Sequence, residues 1–192
     1  MAFPLFKKIL IANRGEIALR IIRACRKLGI GTVAVYSDVD IESLHIRAAD
    51  QAFRIGPAPP HESYLNQHRI LSVASKCNAE AIHPGYGFLA ENPDFIRACE
   101  ERGLTFVGPS STSAELLSSK LEARTTMASA GIPVIPGSEQ AIQSEDEIVA
   151  AGKDLGFPVL IKAVYGGGGR GLRIAHNIRE ARRFYKVTQT EA

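Results

Sequence analysis

Short apolar runs, separated by stretches of helical periodicity, set the pattern of the first half of the chain. Lys8 to Ala12 is nearly all apolar, the pattern of a strand buried on both faces. Asn13-Arg14-Gly15 makes a turn into a predicted helix, Glu16 to Leu28, where Ile17, Ile21, Cys25 and Leu28 recur at helical spacing and face a sheet. Glu16 in the first turn and Arg26 and Lys27 in the last suit the helix dipole, and Gly29 stops the helix. Thr32 to Tyr36 is the next strand, which completes a βαβ unit and implies a parallel sheet. Asp38 to Asp50 is polar, with a short helix around Ser43 to Ala49. Gln51 to Ile55 reads as a strand, and Gly56 to Pro60 as a rigid loop. Asn66 to Lys76 is a helix with Ile70, Val73 and Ala74 inward, and Ala79 to Ile82 is a strand. Asn92 to Arg102 is a helix with Pro93 in its first turn and Phe95, Ile96 and Cys99 inward, followed by a strand at Thr105 to Val107. This alternation predicts a doubly wound, Rossmann-like α/β domain over residues 1–117.

The pattern then changes. Ser113 to Leu117 is about one helical turn, and Lys120 opens a helix running to Ala130, stopped by Gly131. Residues 118–137 form a helical connector, and Pro133 to Gly137 leads into a second region, 138–192. Ser144 to Leu155 is a helix with Ser144 as cap and Glu147 three residues on, a capping box, and Ile148, Ala151 and Leu155 as its apolar stripe. Two apolar runs, Val159 to Val164 and Leu172 to Ala175, flank four consecutive glycines, Gly166 to Gly169, and read as a hairpin with a mobile tip. Arg179 to Thr188 is the last predicted helix.

The hairpin carries the strongest chemical signal. Glycines let backbone N–H groups approach an anion, and successive N–H groups form an anion-binding concavity. Lys162 on the preceding run and Arg170 in the loop add positive charge, so phosphate binding is favoured over a plain connector. Gly166, Gly168 and Gly171 match G-x-G-x-x-G, but a strand follows where a dinucleotide site needs a helix. A Walker loop would need Gly-Lys-Ser/Thr, and Gly169-Arg170-Gly171 stands there instead. Kinases close such a hairpin over phosphates with the lysine on a later strand; here the lysine precedes the loop. Taken alone, the Asn13 to Glu16 turn reads as a lead-in to the helix, and His83-Pro84-Gly85 as a structural turn at the carboxyl edge of the sheet. Arg20, Arg23 and Lys27 read as a solvated basic face, and Lys120 as a surface lysine placed against the helix dipole.

Composition removes several classes. A net charge of +3 gives no footprint for nucleic acid. No apolar stretch reaches membrane-spanning length and no signal or transit peptide is seen, so a cytoplasmic protein is expected (mitochondrial matrix, if eukaryotic). Cys25, Cys77 and Cys99 lack C-x-x-C spacing and suit reduced, structural thiols. The five histidines show no metal-ligand spacing, and no G-x-S-x-G elbow suggests a hydrolase.

A lysine-bearing strand before a glycine loop resembles the ATP-grasp enzymes, and the residues are similar to one branch of them. Lys162 to Gly171, Lys-Ala-Val-Tyr-Gly-Gly-Gly-Gly-Arg-Gly, resembles the glycine loop of biotin carboxylases. Lys8 to Arg20, His83 to Leu89 and Phe106 to Ser110 resemble three further motifs of that family, in the same order. The resemblance covers essentially the whole chain, which in turn covers less than half of a biotin carboxylase. It implies a pre-ATP-grasp domain followed by the start of the ATP-grasp lid subdomain. It also implies ATP- and bicarbonate-dependent carboxylation of biotin on a carrier protein or domain, in partnership with a carboxyltransferase. Lys120, Lys162, Gly166, Gly167, Gly168, Gly169 and Arg170 are implied ATP contacts, Tyr86 a biotin contact, and Arg20 part of a homodimer interface. The family's magnesium-binding glutamates, bicarbonate-binding arginine and base are expected further along than Ala192, so the chain alone is expected not to turn over. Tyr165, with Val35-Tyr36-Ser37 and Glu122-Ala123-Arg124, leans toward pyruvate-carboxylase-type members, with acyl-CoA-carboxylase types the other possibility.

Three other readings compete. A Rossmann dinucleotide module would use the Gly15 turn and Asp38 at the end of the second strand, but lacks the other glycines. A carbamoyl-phosphate synthetase would share the ATP-grasp loop, but the Asn13 to Glu16 and His83 to Phe88 motifs argue against it. A dimerisation piece without activity would use only the Arg20 face.

Overall fold

The structure is a computed structural model that describes residues 5–138, 140–162 and 172–191, apart from the side chains of Lys120 and residues 189–191. The chain divides into two compact units, one ending at Ser118 and the other beginning at Ser119.

The first unit is a five-stranded parallel sheet in the order β3-β2-β1-β4-β5. Its strands are β1 (Lys8–Ile11), β2 (Gly31–Ser37), β3 (Gln51–Gly56), β4 (Ala81–His83) and β5 (Thr105–Phe106). Between them run α1 (Gly15–Lys27), α2 (Leu44–Ala48), α3 (Gln67–Lys76) and α4 (Pro93–Glu100), and α5 (Ser111–Ser118) follows β5. The alternation of strand side chains divides the core between two faces. Ile9 and Ile11 point to a layer with Ala18, Ile21, Ile22 and Cys25 of α1. Leu10, Val33 and Val35 point to the opposite layer, with Ile70 and Ala74 of α3 and Phe95, Ile96 and Cys99 of α4. Helices therefore cover both faces, as an all-parallel sheet requires. Phe95 and Phe106 meet edge to face at 6.1 Å.

The helices and strands predicted for this unit are present, with shifted ends: β4 begins at Ala81 instead of Ala79, β5 stops at Phe106, and the turn predicted at Ser113 to Leu117 is the eight-residue α5. Leu28 is 65% exposed because it caps α1 instead of continuing its inner face. The buried stripe is Ala18, Ile21, Ile22 and Cys25. Asn66 and Asn92 cap α3 and α4, accepting from the amides of Arg69 at 3.1 Å and Phe95 at 2.8 Å.

The second unit holds α6 (Lys120–Ser129), α7 (Glu145–Leu155), β6 (Val159–Ile161), β7 (Arg173–Ala175) and α8 (Ile178–Glu191). Strands β6 and β7 pair antiparallel, with Val159 opposite Ala175 and Ile161 opposite Arg173. Ile161 and Ala175 pack with Ile148, Val149 and Ala181 in a small core. The capping box of α7 is shifted by one residue. Ser144 accepts from the Glu147 amide at 3.2 Å, while the Glu147 carboxylate takes the amide of Gln143 at 2.8 Å. The stripe of α7 is Ile148, Val149 and Gly152; Leu155 is 42% exposed. Gly152 lies so close to the Phe157 ring that a Cβ there would stand 2.8 Å from it. Two ion pairs tie α7 to α8: Glu145 with Lys186 at 2.9 Å, and Asp146 with Arg182 at 3.6 Å.

Candidate functional site

Strand order reverses between β1 and β4, so their carboxyl ends open the crevice where ligands bind in open α/β sheets. Asn13 to Glu16 leaves β1 there, and His83 to Phe88 leaves β4. The two segments are joined by the Asn13 side chain, which is buried. Its amide nitrogen donates to Pro84 O at 2.7 Å and Tyr86 O at 2.8 Å, and its Oδ1 accepts from the Arg14 amide at 2.8 Å. Gly85 sits at φ +65°, and a Cβ on it would lie 3.0 Å from both Asn13 Nδ2 and Ile17 Cγ1. Only glycine fits that backbone and that gap. The Gly85 amide donates to His83 Nδ1 at 3.1 Å, so that nitrogen is the unprotonated one, and burial lowers the pKa of His83. Phe88 also has positive φ, 42°, a conformation that neighbouring contacts must hold, and its ring stacks on Tyr64 at 5.0 Å.

Asp40, 1% exposed, is the electrostatic centre of this edge. Arg14 Nε lies 2.9 Å from both of its oxygens, and Arg14 Nη2 makes a further contact. The hydroxyls of Ser37 and Tyr64 each donate to Asp40 at 2.8 Å. Burial alone would raise the Asp40 pKa, but these donors outweigh it and bring it down to about 2. Tyr64 is pushed up to about 12, chiefly by burial. Sequence reading missed Asp40 and Tyr64. Each lies in a polar stretch, and their partners are 24 and 26 residues distant, so no local spacing marks them.

The predicted site residues are distributed as follows. Tyr86 is 61% exposed at this edge, and its hydroxyl donates to the Glu16 carboxylate, which raises the tyrosine pKa. Arg20 is exposed on α1, one turn beyond Glu16. Asp38, the acid that a dinucleotide module would need, is occupied by Arg54 at 2.6 and 2.8 Å. In the second unit, Lys120 opens α6, where Ser119 caps by accepting from the Glu122 amide at 3.3 Å. Lys162 is exposed just past the end of β6. Gly166, Gly167, Gly168, Gly169 and Arg170 lie outside the described residues. Among the described residues, no group of three or more His, Cys, Asp or Glu side chains could hold a metal ion, and no helix is long and apolar enough to cross a membrane.

The family described as "Biotin carboxylase, N-terminal domain" matches residues 5–114, more than half of the chain. The chain belongs to the biotin carboxylase family. The family described as "Carbamoyl-phosphate synthase L chain, ATP binding domain" matches residues 119–192. Biotin carboxylase 1 of Bacillus subtilis is 54% identical over 188 residues, 98% of this chain and 42% of its own. A pyruvate carboxylase subunit of Methanothermobacter thermautotrophicus is 49% identical over 188 residues, 98% of this chain and 38% of its own. The solved biotin carboxylase domain dimer of Hydrogenobacter thermophilus 2-oxoglutarate carboxylase, in complex with MgADP, ADP and bicarbonate, superposes with a TM-score of 0.91 at 49% identity. It covers 97% of this chain and 41% of that one. Biotin carboxylase from Campylobacter jejuni, solved as a β,γ-ATP complex, gives 0.92 at 43% identity, over 97% and 42%. This biotin carboxylase N-terminal region thus spans well under half of those relatives. The first-unit match and relatives spanning nearly all of the chain favour biotin carboxylase over a dinucleotide module or a carbamoyl-phosphate synthetase.

Proposed function

We propose that the chain forms the N-terminal part of a biotin carboxylase, which uses ATP and bicarbonate to carboxylate biotin carried on a partner protein or domain. The observation that carries this reading is the 54% identity over 188 residues to a biotin carboxylase. Phosphoryl transfer depends mostly on positioning and charge neutralisation. Lys120, Lys162, Arg170 and the backbone amides of Gly166 to Gly169 supply that for the ATP phosphates. In support, Lys162 is exposed just past the end of β6, next in sequence to the glycine run. Magnesium, when bound, neutralises phosphate charge. Tyr86 faces biotin from the carboxyl edge of the first unit, where the exposed residue is open to a ligand. Arg20 belongs to a homodimer interface; the Hydrogenobacter relative was solved as a dimer. A carboxyltransferase receives the carboxylated biotin, and the domains fall at 1–117, 118–137 and 138–192.

Isothermal titration of ATP into the chain tests the nucleotide assignment. Heat that saturates for the native chain and is lost in Lys162→Ala supports it. Equal ATP binding by the variant, or binding of NAD instead, overturns it. The chain alone is expected to show no bicarbonate-dependent ATP hydrolysis.

A further inference from the structure

We propose that the Asn13-Arg14-Gly15-Glu16 turn is a clamp for Tyr86, and that Asn13 and Glu16 are positioning residues for the ligand that Tyr86 meets. The proposal rests on the reading that this ligand is biotin. Asn13 holds the Tyr86 backbone. Both of its amide hydrogens are used, on Pro84 O at 2.7 Å and Tyr86 O at 2.8 Å, so the chain is fixed on either side of Gly85. Glu16 holds the other end of the residue, accepting the hydroxyl proton of the ring. Between them, Arg14 is drawn away by Asp40, whose two oxygens each lie 2.9 Å from its Nε, so its cation does not compete for Glu16. The ring is therefore oriented at both ends while 61% of the residue stays open to solvent. Fixed orientation without burial is what a recognition side chain needs, because little freedom remains to be lost on binding.

The clamp also sets the polarity of the contact. A phenol has one hydrogen to donate and lone pairs to accept with. With that hydrogen committed to Glu16, Tyr86 offers the ligand an acceptor. It selects an N–H, which a cyclic urea carries, over a carbonyl oxygen.

Two measurements test this. In the chain itself, ultraviolet titration of the tyrosinate band, with Tyr86→Phe subtracted to isolate one of the five tyrosines, reads the Glu16 contact directly. Tyr86 titrates above the ordinary tyrosine range, and Glu16→Gln brings it back down. An unchanged Tyr86 titration in Glu16→Gln and Glu16→Ala overturns the clamp. For function, this chain is joined to the part of Bacillus subtilis biotin carboxylase 1 beyond the matched stretch, and KM for free biotin is measured. Glu16→Ala is expected to raise KM about 2–10-fold, the range of one hydrogen bond, with kcat changed less. The same substitution in a Tyr86→Phe background should add nothing, whereas an equal further rise there overturns positioning through Tyr86. If the titration shifts but neither Glu16→Ala nor Tyr86→Phe alters KM for biotin, the clamp stands and the biotin assignment of Tyr86 falls. Glu16 is exposed, so these variants keep the fold that an Asn13 substitution would put at risk.

Discussion

Replacing Asp40 by asparagine should cost the first unit about 2–3 kcal/mol at neutral pH. Removing one partner of a fully buried ion pair costs about 3–5 kcal/mol, because the remaining charge is stranded. Here the Arg14 side chain is 47% exposed and can rehydrate, which brings the cost down to about 2–3 kcal/mol. An independent route gives a similar size. The Asp40 pKa falls from an ordinary 3.8 to about 2, and at about 1.36 kcal/mol per unit this is about 2 kcal/mol of stabilisation. The sign follows from the direction. A depressed carboxyl pKa contributes fully above its unfolded value, near pH 4, and the contribution is lost as pH falls toward 2. The assay is urea unfolding followed by far-ultraviolet circular dichroism, at pH 7 and at intervals down to pH 2.5. With a slope of about 1–2 kcal/mol per molar urea, the midpoint at pH 7 should drop by about 1–3 M in Asp40→Asn. The gap between variant and native protein should then close on acidification. A variant within about 0.5 kcal/mol of native at pH 7, or a gap that stays constant to pH 2.5, would refute the reasoning.

Gly85→Ala should destabilise by about 1–3 kcal/mol, since it adds both a positive-φ penalty and a Cβ 3.0 Å from Asn13 and Ile17; an unchanged urea midpoint would contradict the close approach. His45 is 1% exposed, with Nε2 3.3 Å from Val35 O and, among the described residues, no partner for Nδ1. Burial holds its pKa below the ordinary 6.5, so its contribution is full above that value and lost as pH falls below it. Thermal midpoints between pH 7 and 5 should therefore fall less in His45→Leu than in the native chain; parallel curves would rule this out.

Much of the first unit is legible because its signals are local. The apolar runs of β1 and β2 and the inward stripes of α3 and α4 follow from periodicity and burial alone, and Phe95, Ile96 and Cys99 are each fully buried. Periodicity fails where a helix ends. Leu28 and Leu155 continue the arithmetic of their stripes, but by those positions α1 and α7 have reached their last residues, and both side chains project past the packed face. The candidate site is less legible, since its connections run between strands. Asn13 reaches Tyr86 across 73 residues, and Arg14 reaches Asp40 across 26. The Asn13 to Glu16 and His83 to Phe88 motifs are visible as separate turns, but their union depends on β1 and β4 being neighbours in the sheet. No spacing rule encodes that adjacency.

The most direct test of the account is biotin-dependent ATP hydrolysis by the hybrid of this chain with the remainder of the Bacillus subtilis enzyme. The account predicts turnover in the hybrid and a fall of about 100-fold or more in Lys162→Ala, the size expected when a charge that stabilises a phosphoryl transition state is lost. A folded hybrid without biotin-dependent turnover, or an active one indifferent to Lys162→Ala, would contradict it.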